Sequence, residues 1–93
     1  MMRMPQTPEQ VKQEIATLQE IKPRVRRRTL FGDDNHAAID VQIAVLEDGL
    51  DEETIYAEWE GNDHLLTAAL EALAWRNGDC EAPSGGWRDL VVG

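Results

Sequence analysis

Apolar residues recur three and four positions apart along most of this chain, the signature of amphipathic helices rather than strands. The first run places Val11, Ile15, Leu18 and Ile21 on one face, while Lys12, Gln13, Glu14 and Gln19 turn mostly to water. Thr7-Pro8-Glu9-Gln10 supplies its start: a threonine cap, a proline in the first helical position and a glutamine placed to complete a capping box. Pro23 ends it at Ile21 or Lys22, because the residue before a proline avoids the helical region. A single apolar stripe marks a helix that covers a core from one side.

Two later runs are different. From Asp33 or Asp34 to Asp48, a wheel at about 100° per residue gives one stripe of Ile39, Ile43 and Leu46 and another of Ala38, Val41 and Val45. From Asn62 or Asp63 to Arg76, the stripes are Leu66, Ala69, Leu70 and Leu73, and Leu65, Ala68, Ala72 and Trp75. A helix with two apolar faces belongs in the middle of a fold, covered on both sides. Between them a short helix over residues 52–60 puts Ile55, Tyr56 and Trp59 on one side. The junction is well specified. Gly49 can take the left-handed conformation that ends a helix, and Leu50 then folds back on Val45. Asp51 caps the next helix, with Leu50 and Ile55 as the two halves of a hydrophobic staple.

These elements predict an all-α fold: a small four-helix, orthogonal-type bundle with a docked C-terminal helical turn. Residues 1–6 read as a disordered N-terminus, and residues 7–93 as one helical domain. Within it, residues 22–32 form a basic linker, where Leu30 and Phe31 are expected to anchor against the bundle. Residues 79–86 form a flexible connector. Trp87, Leu90 and Val91 have the spacing of one helical turn, expected to dock on the last long helix near Trp75.

Charge sharpens this picture. The net charge is −9, yet residues 1–28 carry seven basic against three acidic side chains, and residues 29–93 two against fifteen. Such asymmetry bears on partners and solubility rather than on fold. The single cysteine, Cys80, excludes an internal disulfide and fits a reducing compartment. No apolar run approaches membrane-spanning length and the start lacks a hydrophobic signal core, so the sequence reads as cytoplasmic with no membrane partner.

Candidate chemistry is sparse. His36 and Asp40, four apart on a helix, could share a divalent metal with Asp63 and His64, but paired cysteines of structural zinc spacing are absent. Their expected role is an ordinary surface pair. No histidine or lysine stands beside a nucleophile, and a bundle this small rarely shapes a cleft that shifts pKa values. The sequence therefore predicts no catalytic residues, no metal and no cofactor: a protein that is not an enzyme. Five of its nine cations, Lys22, Arg24, Arg26, Arg27 and Arg28, crowd the linker. They could neutralise phosphates, pair with the chain's own acidic helices or a second copy, or meet another acidic protein. The dense carboxylates could imitate a phosphate backbone or serve solubility alone. Trp59, Trp75 and Trp87 suit a core, or an interface that buries the second stripes.

Two resemblances accompany this reading. Gly49-Leu50 followed by Ile55, Trp59, Leu66, Ala69, Leu70 and Leu73 is similar in spacing to the three-helix ubiquitin-associated domain, over roughly half the chain. That resemblance implies compact helical packing. The Met-Gly-Phe turn with which that family binds ubiquitin is here Asp48-Gly49-Leu50. Second, Leu30-Phe31-Gly32-Asp33-Asp34-Asn35-His36-Ala37-Ala38-Ile39 and Ala82-Pro83-Ser84-Gly85-Gly86-Trp87 look like segments of small bacterial prophage and plasmid proteins, which implies a bacterial origin and no mechanism.

The function expected from all this is non-catalytic macromolecular interaction: binding a protein partner, or a second copy as a homodimer, through an acidic and apolar helical surface. The alternative is nucleic-acid binding through the linker. The expected contact residues are Arg24, Arg26, Arg27, Arg28, Trp75 and Trp87.

Overall fold

The computed structural model describes residues 4–92. Its helices are α1 (Pro8–Ile21), α2 (Asn35–Asp48), α3 (Glu52–Trp59), α4 (Asp63–Arg76) and α5 (Pro83–Arg88), with one 3-10 turn, Lys22–Arg24, after α1. The fold is all-α, as the periodicity predicts. Each long helix begins where a side chain can satisfy its free amides. Thr7 accepts from the Gln10 amide while Gln10 accepts from the Thr7 amide; Asp34 accepts from His36 and Ala37, Asp51 from Thr54, and Asn62 from Leu65.

The helices α2 and α4 form the central pair; α1 covers α2, α3 covers α4, and α5 rests on α1 and α4. Leu18, Ile39, Val45 and Ile55 are wholly buried where these layers meet. The turn between α2 and α3 closes on Gly49 (φ 63°), and the Leu50 amide donates to the Val45 carbonyl at 3.1 Å. From α4, Arg76 donates to the Val45 carbonyl at 3.0 Å and the Leu50 carbonyl at 2.5 Å. It thereby ties α4 to the end of α2 and to the turn that follows it.

Four expectations change. Residues 1–3 lie outside the described part of the expected disordered N-terminus, but residues 4–6 are tied down: the Gln6 amide donates to the Arg76 carbonyl at 2.9 Å. The second half of the expected connector is α5, so the terminal helical turn comes earlier than its spacing suggested. Residues 90–92 instead run beside the linker, Val91 pairing antiparallel with Val25. The Arg26 amide donates to the Leu90 carbonyl at 2.9 Å and the Val92 amide to the Arg24 carbonyl at 2.8 Å. The linker's anchor is therefore Val25, 2% exposed, while Leu30 and Phe31 stand 94% and 93% exposed.

Gly78 (φ 85°) shows how the N-terminal segment is held. A Cβ there would strike the Met4 carbonyl, whereas one at Gly49 would meet nothing within 4 Å. Gly49→Ala should cost about 1 kcal/mol, the strain of a left-handed alanine. Gly78→Ala adds displacement of Met4 and loss of the Gln6–Arg76 bond, for roughly 2–3 kcal/mol in total. Thermal melts rank the two variants, and amide exchange at Gln6 should accelerate only in Gly78→Ala.

Candidate interaction surface

The linker is an ordered miniature hairpin rather than a loose strap. Arg28 pairs antiparallel with Asp34, and the Thr29 amide donates to the Asp33 carbonyl at 2.9 Å. The Gly32 amide closes the turn on the Thr29 carbonyl at 3.0 Å, with Gly32 itself at φ 85°. A glycine in that region is what a tight hairpin loop of this length requires. The Thr29 hydroxyl accepts from the Phe31 amide at 3.2 Å and the Asp33 amide at 3.0 Å. At the hairpin's base, Asn35 is 2% exposed; it donates from its amide to the Arg27 carbonyl at 2.7 Å and from its side chain to the Arg26 carbonyl at 2.9 Å. Leu30 and Phe31, the two central residues of the turn, point away from a scaffold that fixes their backbone.

The arginines divide into two groups. Arg27 approaches Asp34 at 3.5 Å, and Arg28 donates to the Gly32 carbonyl at 3.0 Å, so both help to hold the hairpin. The Asp34 carboxyl lies below its ordinary range, first through the Ala37 amide and with Arg27 contributing. Arg24 and Arg26 are exposed, and among the described residues their side chains have no partner. Lys22 binds Asp40 at 2.7 Å. The expected His36–Asp40 pair is therefore not formed; the His36 ring instead meets the Val25 carbonyl at 2.9 Å and pins the linker. Trp75 is 7% exposed and packs within the core cluster. Trp87 is half-buried and donates its indole N–H to Gln42 at 2.6 Å.

Beside the hairpin lies a cavity of about 590 Å³ lined by Asp33, Asn62, Asp63, His64, Ala68, Glu71 and Trp87 among others. Asp33 belongs to both features. Three carboxylates face this space, with no lysine or arginine along its wall among the described residues. Burial pushes the Glu71 carboxyl above its ordinary range, against the opposing pull of His64. The His64 Nε2 is buried and has no hydrogen-bond partner among the described residues, a state that costs about 1–3 kcal/mol. Among the described residues, no three His, Cys, Asp or Glu side chains are grouped to hold a metal ion. Cys80 is held above the ordinary thiol range by burial and by Glu71, Asp79 and Glu81. That argues against a reactive thiolate.

The raised Glu71 carboxyl has a definite sign. A folded state that holds its proton more tightly than the unfolded chain loses stability as pH rises from the ordinary glutamate range through the folded value. Glu71→Gln removes that loss. Its melting temperature should match wild type in acid and exceed it once Glu71 is ionised, the gap opening above the ordinary glutamate range. Paired melts across acid to neutral pH test this; a constant gap would show that Glu71 has no such coupling.

The arginines were visible in sequence as a cluster; the exposed apolar pair and the acidic cavity were not. The signal for the pair was local: two large side chains centred in Thr29-Leu30-Phe31-Gly32, a turn closed by glycine. No family model matches the chain, and no curated protein or solved structure matches it either.

Proposed function

We propose that this chain is a non-catalytic interaction protein that docks on another protein through the hairpin at residues 26–32. The observation that carries the reading is the exposure of Leu30 and Phe31, 94% and 93%, on a turn held by its own hydrogen bonds. Water gains nothing from such a pair, and burying each is worth roughly 1.5–3 kcal/mol. Because the backbone is already ordered, little entropy is lost on docking. A phenylalanine and arginines in one exposed hairpin also suit an interface centre, where aromatic residues and arginine are enriched. The class of function is the one expected from sequence, with its surface moved from the helices to the hairpin.

Nucleic acid is the second reading, supported by an exposed aromatic ring, Phe31, in the same hairpin as an exposed cation, Arg26. Against it, Arg27 and Arg28 are engaged within the hairpin and the chain carries −9 overall. The test is capture from cell extract by wild type and by Leu30→Ser/Phe31→Ser, with and without nuclease. Both side chains are exposed, so the variant should keep the wild-type helical fold by circular dichroism. Proteins held by wild type, lost by the variant and indifferent to nuclease support docking on protein. A nuclease-sensitive catch supports the second reading, and an identical catch with both chains sinks both.

A further inference from the structure

We infer that the hairpin's partner is a second copy of this chain, the Leu30–Phe31 tip and free arginines of each protomer entering the acidic cavity of the other. This rests on the proposed reading of the hairpin and supplies its occupant.

The hairpin asks for a concave, partly apolar site rimmed by negative charge. This molecule carries one. The cavity presents Asp33, Asp63 and Glu71 around Trp87 and Ala68, and among the described residues no lysine or arginine lines it. Its volume of about 590 Å³ lies in the range of sites that enclose a small ligand. Arg24 and Arg26, whose side chains are free of partners among the described residues, supply the matching charge. Placement makes the fit mutual. Because Asp33 is part of both the hairpin and the cavity wall, donor and receptor lie side by side on one face. A two-fold axis between them sets each protomer's hairpin against the other's cavity in a single closed contact. Two chains of −9 repel at a distance, so local pairing of unlike patches must fix the approach.

The test uses opposed charge changes. Arg24→Glu/Arg26→Glu reverses the charge of both free cations and leaves the cavity unchanged. Asp63→Lys/Thr67→Lys/Glu71→Lys makes the cavity basic, on three exposed positions of α4 that line it, and leaves the hairpin unchanged. Light scattering should give wild type twice the chain mass of 10.5 kDa. Each charge variant alone, and Phe31→Ser, should give the single mass with circular dichroism unchanged. An equimolar mixture of the two charge variants should return to the doubled mass, since both contacts in the mixed pair then join unlike charges. Wild type that stays at the single mass at millimolar concentration overturns the inference. So does a dimer that survives Phe31→Ser, or a mixture that fails to reassociate. A monomer that still captures another protein through Phe31, or that shifts nucleic acid or sediments with anionic vesicles, overturns the second copy and assigns the hairpin elsewhere.

Discussion

Glu14→Ala should lower stability by about 3–4 kcal/mol and release α5 from the bundle, the largest loss expected of any single polar substitution here. The reason lies in how poorly α5 is specified by its own residues. Pro83-Ser84-Gly85-Gly86-Trp87-Arg88 is too short to persist alone, its two glycines each cost about 1 kcal/mol, and Ala82 before it has no side chain with which to cap. Glu14, seventy positions earlier, does the capping. Only 6% exposed, it accepts from the Ser84 amide at 2.8 Å and the Ser84 hydroxyl at 2.8 Å. Removing that carboxylate leaves both donors buried without an acceptor, so the helix either bears the penalty or lets go. Hydrogen bonds to a charged group are worth about 1.5–3 kcal/mol each, and two sharing one acceptor sum to less than twice that. In a domain of this size the melting point should fall by roughly 12–30 °C. Glu14→Gln, with a single acceptor oxygen, should fall between wild type and Glu14→Ala. Tryptophan fluorescence separates the modes of failure: if α5 lifts off, Trp87 moves into water and its emission shifts red before the main melt. A Glu14→Ala chain as stable as wild type would show that α5 is held by packing alone.

That contact also explains what sequence could reveal and what it could not. Helix boundaries were legible because they are local: Thr7 with Gln10, Gly49 with Asp51, Asn62 with Leu65 act across two to four residues, within reach of a pattern. The central pair was legible because a second apolar stripe on α2 and α4 demands a second cover. In sequence Glu14 belongs to the solvent face of α1, because its carboxylate gives no hint of a serine from the far end of the chain. Hydrophobicity alone points Leu30 and Phe31 inward, yet apolar residues at the centre of a glycine-closed turn obey turn geometry first, and the core position is already filled by Val25. The cavity was invisible for the same reason as the Glu14 contact. Asp33, Asp63, Glu71 and Trp87 come from three separate segments, and each alone looks like an ordinary surface or core residue. The linker arginines were legible as a group, but that two of them secure the hairpin and two stand free depends on the turn that follows them.

The second large effect centres on Gln42, which the apolar pattern of α2 passes over. It is wholly buried, donating to the Ala68 carbonyl at 3.2 Å and accepting the Trp87 indole N–H at 2.6 Å. A single amide thus ties α2 to α4 and to the segment that closes the cavity. Gln42→Leu keeps the volume but strands the indole N–H, for about 2–3 kcal/mol; Trp87→Phe strands the buried amide oxygen and removes ring volume, for a similar loss. The double variant removes both halves, leaving no orphan, and replacing both partners of a hydrogen bond by apolar groups costs far less than breaking it from one side. The double should therefore be more stable than the summed singles predict, by about 1–2 kcal/mol. Denaturant melts of the four chains measure that coupling directly. Additivity within about 0.5 kcal/mol would mean that the two side chains act independently. A positive coupling has a consequence at the surface. Trp87 is a wall of the acidic cavity, so the bond that fixes its ring also fixes the shape offered to a docking hairpin. Gln42→Leu, a change inside the core, should then weaken self-association under conditions where its fold remains intact, and Phe31→Ser should do so with no loss of monomer stability.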